Sequence, residues 1–151
     1  MMRNTNNRGF TLFIAVIITA TLLLVSTGIV TLALKQNALT SAARESQYAF
    51  YAADTGAECA IYWDVKNSTG ISAFATSTGT VITCNSQNFT VGGNLSGVST
   101  ILNMNFLPDP YCVTVTVTRY ADGSTDIVSR GYNTCDTASS KRVERAVRVS
   151  Y

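Results

Sequence analysis

A short polar stretch opens the chain, and from Phe10 to Leu34 there follow 25 residues without one ionisable side chain. At about 1.5 Å of rise per residue, a helix of that length covers roughly 38 Å, more than the approximately 30 Å hydrocarbon core of a bilayer. It is long enough to span a membrane with some tilt. A cleaved secretory signal would have an apolar region of about 7–15 residues and then a small-residue cleavage site; this segment is longer and runs on into more helix. After Lys35, Leu39, Ala42, Ala43, Ser46, Ala49, Phe50, Ala53, Ala57, Ala60 and Ile61 recur at spacings of three and four, drawing one stripe of apolar and small residues. Gln36, Arg44, Glu45, Gln47, Asp54 and Glu58 fall largely off it. With no proline to interrupt it, residues 10–64 read as one helix, membrane-spanning over 10–34 and amphipathic over 35–64. Gly56 costs that helix about 1 kcal/mol relative to alanine and marks either close packing or a local bend.

Beyond the helix the period changes from 3.6 to two. Residues 67–105 are rich in Ser, Thr, Gly and Asn, with short β-prone runs at 79–84, 88–91 and 101–106. Residues 111–120 alternate strictly, with Val113, Val115 and Val117 on one face and Thr114, Thr116 and Thr118 on the other, the pattern of a half-buried antiparallel strand. Asp122-Gly123 predicts a two-residue type I′ turn. Centring the hairpin there pairs Tyr120 with Thr125, Arg119 with Asp126, Val117 with Val128 and Val113 with Tyr132. A last strand, 142–151, sets Val143, Val147, Val149 and Tyr151 on one face, with Arg145 as an exception. The predicted fold class is α+β: a long N-terminal α-helix covered by a small antiparallel sheet of three or four strands.

Composition narrows the chemistry. The net charge of +2 comes from 11 basic and 9 acidic residues, and two of the basic ones, Arg3 and Arg8, precede the apolar run. Lys141, Arg142, Arg145 and Arg148 make the last strand basic, which reads as a solvated strand face, so no nucleic-acid partner is expected. The chain has no histidine and no phosphate loop, nucleophile elbow or paired-carboxylate motif, so the expectation is not an enzyme, with no cofactor and no metal. Asp54 and Glu58, one helical turn apart, read as solvated, and Asp122, Asp126 and Asp136 as turn residues. Sequons begin at Asn67, Asn88 and Asn94, in a tract where such matches arise by chance.

Four cysteines, Cys59, Cys84, Cys112 and Cys135, have neither CxxC nor zinc spacing. In a head outside the cytoplasm, their even number favours two disulfides, with three connectivities open. The hairpin register above sets Asn133 opposite Cys112, so a 112–135 bridge is reachable with a small bend and Cys59 is left with Cys84. Free buried thiols are the other reading.

The junction of leader and apolar run carries a resemblance. Arg8-Gly9-Phe10-Thr11-Leu12, after a short basic leader, resembles the class III signal of the type IV pilin superfamily, and the segment YAFYAADTGAECAIYWD resembles PilX-like minor pilins. The resemblance implies a cytoplasmic leader (1–9), cleavage by a prepilin peptidase between Gly9 and Phe10, and N-methylation at Phe10. It further implies a single-pass membrane protein with its N-terminus in the cytoplasm and residues 65–151 outside, as a variable loop region and sheet. Partners would be other pilin or pseudopilin subunits, through Phe10 to Leu34, and the inner-membrane assembly platform. One position departs: the fifth residue after the cut, usually a glutamate that neutralises a neighbour's terminal amine, is Ile14. A buried amine without a counter-charge is costly, so a shaft subunit lacking the glutamate would stack poorly, whereas a capping subunit has no neighbour above it. In this the chain is similar to K-type minor pseudopilins of type II secretion. The expected function is a minor, tip or priming subunit of a type IV pilus or secretion pseudopilus. The alternatives are a major or adhesive shaft pilin, and a signal-anchored envelope protein that never polymerises.

Overall fold

The computed structural model describes residues 8–66, 70–76, 78–92 and 99–151. They form a long helix, α1 (Arg8–Ile61), a π-helical turn (Tyr62–Lys66), a 3-10 turn (Ala73–Ala75) and six strands: β1 (Gly79–Cys84), β2 (Gln87–Gly92), β3 (Ser99–Asn105), β4 (Cys112–Arg119), β5 (Thr125–Tyr132) and β6 (Glu144–Ser150). α1 starts two residues ahead of the expected Phe10, and the π turn carries helical structure to Lys66 in place of 64. The chain divides into two compact units, residues 1–42 and 43–151. The sequons at Asn67 and Asn94 lie outside the described residues, as do Arg3 and most of the leader.

In the second unit, β3-β4-β5-β6 form one antiparallel sheet and β1-β2 a separate hairpin. The helix lies against the larger sheet through Ala49, Ala52, Ala53, Gly56, Ala57 and Ala60, all buried. This stripe differs in part from the expected one: Leu39 and Phe50 are exposed, as are Ala42 and Ala43, while Ala52 and Gly56 face the sheet. Helix and sheet approach closely because neither carries bulk at the crossing. A Cβ on Gly56 would lie 2.6 Å from Ser129 Oγ, 2.7 Å from Val115 Cγ2 and 2.8 Å from Val113 Cγ2, and a Cβ on Gly131 would overlap the Ala49 carbonyl oxygen and the Ala53 amide. Gly56 therefore marks close packing, and α-helix continues past it to Ile61. Ser129 Oγ donates to the Ala53 carbonyl at 2.6 Å and satisfies its own buried hydroxyl there.

The β4–β5 hairpin is one residue out of the predicted register. Arg119 pairs with Thr125, Val117 with Ile127 and Val113 with Gly131. A type I′ turn needs positive φ at both central residues, and here only Gly123 takes it, at 91°. Asp122 instead accepts the Ser124 amide at 2.9 Å and its hydroxyl at 2.6 Å, and Gly123 N–H closes onto the Tyr120 carbonyl at 3.1 Å. The loop is thus three residues, 121–123. A shift of one reverses the face of a strand: Ile127, Ser129 and Gly131 join the valines inside, and Arg130 points to solvent. The two-residue turn with both φ positive occurs in the β1–β2 hairpin, at Asn85 (47°) and Ser86 (59°).

The region expected to be a variable loop supplies much of the core. Phe74, Ile82, Cys84, Val91, Leu102 and Met104 are buried with Val113, Val115, Val117 and Ile127. The β1–β2 hairpin is tied to the edge of the main sheet by Gln87, whose amide donates to the Asn105 carbonyl and accepts from the Asn105 N–H. β6 keeps Val147 and Val149 on the inner face, as its alternation predicts. The exception at Arg145 has a use: its Nε donates to Ser46 Oγ on α1 at 2.8 Å.

Candidate functional site

Two regions carry the expected functional residues, and each is built differently. In the first unit, α1 presents its apolar side chains outward along the whole run: Phe10 is 68% exposed, Leu24 73% and Leu34 66%. An 18-residue window of this helix has mean hydropathy 2.5, with none of it buried, so it is long and apolar enough to cross a membrane. The hydroxyls inside the run are turned onto the helix itself. Thr19, Thr21, Ser26, Thr27 and Thr31 donate to carbonyls three or four residues back at 2.7–3.0 Å. A hydroxyl so paired does not need water, which is the condition for placing it in hydrocarbon. Ile14 sits within this surface, 40% exposed, and offers no charge to a neighbouring amine. Gly9 and Phe10, the expected cleavage pair, lie in the first turn of α1.

In the second unit the π turn places Asp64 where three elements meet. Its side chain is 2% exposed and accepts hydrogen bonds from Tyr151 Oη at 2.7 Å, from Arg119 Nη1 at 3.0 Å and from Ser72 Oγ. Burial alone would raise its pKa, but the bonds from Ser72, Tyr151 and Arg119 outweigh it and hold the carboxyl below the usual range. Arg119 was expected opposite Asp126. The shifted hairpin register releases it to Asp64, 55 residues earlier, and Asp126 takes Arg148 of β6 at 2.9 Å. Nothing local in the sequence marks Asp64 as a junction. Asp136 behaves as expected of a turn residue, accepting the Ala138 amide at 2.9 Å.

Of the basic residues near the C-terminus, Arg142 lies 3.7 Å from the Tyr132 ring centroid, Arg145 bonds Ser46 and Arg148 bonds Asp126, so three of the four have partners within the fold. Among the described residues no cluster of three metal-ligating side chains occurs. An apolar cavity of about 250 Å³ opens between α1 and the end of β3, lined by Tyr48, Tyr51, Ala52, Thr55, Phe106 and Tyr111. Tyr48 and Tyr111 stack at 4.7 Å on one side of it, and Arg44 Nε donates to Tyr48 Oη at 2.9 Å.

Cys59, near the end of α1, and Cys84, at the end of β1, form a disulfide across a Cα separation of 6.0 Å. It fastens the β1–β2 hairpin to the helix, beside Trp63, whose indole N–H donates to the Thr83 carbonyl at 3.2 Å. The second expected bridge is not formed: Cys112 and Cys135 are both thiols. With the shifted register Cys112 faces Tyr132, one residue short of the expected Asn133, and Cys135 is drawn to Pro110, whose carbonyl accepts its N–H at 3.0 Å.

The N-terminal helix also carries the match to known proteins. Residues 8–58 match the PilX N-terminal family. The match begins at the basic-Gly-Phe junction and ends in the alanine stripe, so it covers the apolar run and most of the helix that packs on the sheet. Over this segment, about a third of the chain, the sequence is similar to type IV pilin-like proteins, and α1, among the described residues, is an N-terminal apolar helix of the kind that fits a signal-anchored membrane protein. No curated protein and no solved structure matches the chain.

Proposed function

We propose that the chain is a minor subunit of a type IV pilus or related secretion pseudopilus, placed at the tip or acting in priming, and that it has no enzymatic activity. The observation that carries this reading is the coincidence of the PilX N-terminal match with a helix whose apolar side chains are outward throughout the membrane-length run. One surface then serves two solvents in turn. Phe10 to Leu34 reside in the bilayer after synthesis, and the same side chains pack among other subunits' helices once the subunit is drawn into a filament. Arg3 and Arg8 hold the leader on the cytoplasmic side, prepilin peptidase cuts between Gly9 and Phe10, and the assembly platform extracts the processed subunit. Ile14 supports a position with no neighbour above it, because a terminal amine stacked against Ile14 would be buried without a counter-charge.

Labelling of sheared filaments with an antibody to the second unit tests the position. Label confined to filament ends is the expected result. Label along the shaft would support the major or adhesive pilin instead, and label only in the membrane fraction would support an envelope protein that does not polymerise.

A further inference from the structure

The apolar cavity between α1 and the end of β3 has a counterpart beside it on the same surface. Arg44, Tyr48, Tyr51, Ala52 and Thr55 recur at helical spacing and share one face of α1. A hole of about 250 Å³ exists there because Ala52, with a single methyl group, sits among the rings of Tyr48, Tyr51, Phe106 and Tyr111. On its rim the Arg44 guanidinium bonds Tyr48 Oη and makes no ion pair among the described residues. The adjacent Glu45 is turned to Asn133, whose Nδ2 donates to it at 2.9 Å. Next to the hole stands a knob. Phe106, which lines the cavity, leads into Leu107-Pro108-Asp109-Pro110, a turn closed by Phe106 N–H on the Tyr111 carbonyl at 3.1 Å and Asp109 N–H on the Phe106 carbonyl at 2.8 Å. Its two prolines restrict the backbone further. Leu107 is 81% exposed, more than any other large apolar residue described, those of the membrane-length run included. Asp109 is exposed too, and its carboxylate makes no ion pair among the described residues.

We propose that two copies of the chain pair through this surface about a two-fold axis, Leu107 of each entering the aromatic hole of the other and Asp109 of each meeting Arg44 of the other. A two-fold contact requires a surface that is complementary to itself. A knob and a hole side by side meet that requirement in shape, and the charges follow: the acid rides on the knob and the unpaired cation sits on the rim of the hole. Both parts are already formed in the single chain. The hole is shaped by side chains packed on α1 and β3, and the turn is fixed by its own hydrogen bonds, so little ordering entropy opposes the contact. Other occupants match less of the surface. An organic cation stacked on the tyrosines would meet Arg44, and an acyl chain in the hole would leave Leu107 in water and Asp109 unpaired. The contact lies wholly in the second unit, so it stands or falls separately from filament assembly.

Sedimentation of the full chain in detergent, over a dilution series, tests the pairing. The parent is expected to shift reversibly between monomer and dimer. Leu107→Ala should weaken the dimer at least about a hundredfold, because the lost burial occurs twice in a two-fold pair. Arg44→Asp and Asp109→Arg should each weaken it by setting like charges against one another, and the chain carrying both should regain most of the affinity, its charges being exchanged. A parent that stays monomeric at the highest concentration reached would overturn the proposal. So would a dimer that Leu107→Ala leaves unchanged, which would put the contact in the apolar helix, or a parent that grows past two copies without closing. A double reversal no tighter than either single one would overturn it as well. Leu107 is exposed, so its truncation leaves the fold intact, which Trp63 fluorescence checks, and it decides the matter even if an Arg44 variant folds poorly.

Discussion

Gly131→Ala adds one methyl group at the point where α1 and β5 touch. In a strand on an open face this change stabilises by roughly 0.5–1 kcal/mol, because glycine loses more backbone freedom on folding. Here the new Cβ would overlap the Ala49 carbonyl oxygen and the Ala53 amide nitrogen and sit 3.0 Å from Ala53 Cα. All three obstacles are helix backbone, so no side chain can rotate away. Restoring ordinary carbon contacts near 3.5–4.0 Å requires the helix to lift by roughly 1 Å, and a gap of that size forfeits about a quarter to a half of each contact along the alanine stripe. Overpacking typically costs about 1–3 kcal/mol, and a rigid obstacle puts this site at the upper end, a net loss of about 2–3 kcal/mol. For a unit of this size that lowers Tm by roughly 10–20 °C. The single tryptophan, Trp63, is in the second unit, so its fluorescence during thermal unfolding of the full chain in detergent reads this transition. Gly56→Ala is the comparison: its Cβ meets side-chain atoms at 2.6–2.8 Å, and helix propensity returns about 1 kcal/mol, so its loss should be smaller. A Gly131→Ala chain with Tm equal to or above the parent would refute the close-approach reasoning.

Asp64→Asn should destabilise the second unit by about 1–3 kcal/mol at neutral pH, since Arg119 loses its charged partner. Because the folded pKa of Asp64 is depressed, its contribution is complete above the unfolded value near 3.9 and is lost as pH falls through the folded value; urea titrations of parent and variant should therefore converge in acid and separate above about pH 5. Opening Cys59–Cys84, whose residues are 25 apart in sequence, should cost about 3 kcal/mol, seen as a lower urea midpoint for the Cys59→Ser/Cys84→Ser chain; an unchanged midpoint would show that the hairpin is held by its core contacts alone.

Periodicity made the larger architecture legible. The apolar run, the three-and-four spacing after it, the alternating valines of β4 and the bounds of β1 all correspond to observed elements, and the α+β class follows from them. What stayed hidden depended on single-residue geometry or on distant partners. Asp-Gly suits a type I′ turn in general, and only the capping of Ser124 by Asp122 shows why this hairpin takes the longer loop. That one residue then decided which partner Arg119 has and where Cys112 lies relative to Cys135. Asp64 illustrates the second case: its partners lie 8, 55 and 87 residues away, beyond any periodic pattern. The alanine stripe was visible, but the exposure of Phe50 was not: it lies between the buried Ala49 and Ala52, and spacing of three and four does not say which of two adjacent positions a sheet covers. In the 67–105 tract, polar composition concealed alternate residues such as Ile82, Val91, Leu102 and Met104 that fill the core.

Intact mass of the chain recovered from its host membrane, together with N-terminal sequencing, tests the pilin reading most directly. A polypeptide beginning at Phe10 with a methylated amine is the predicted result. One that still begins at Met1 or Met2 would contradict it, and leave a membrane-anchored β-domain whose Gly9-Phe10 junction is never cut.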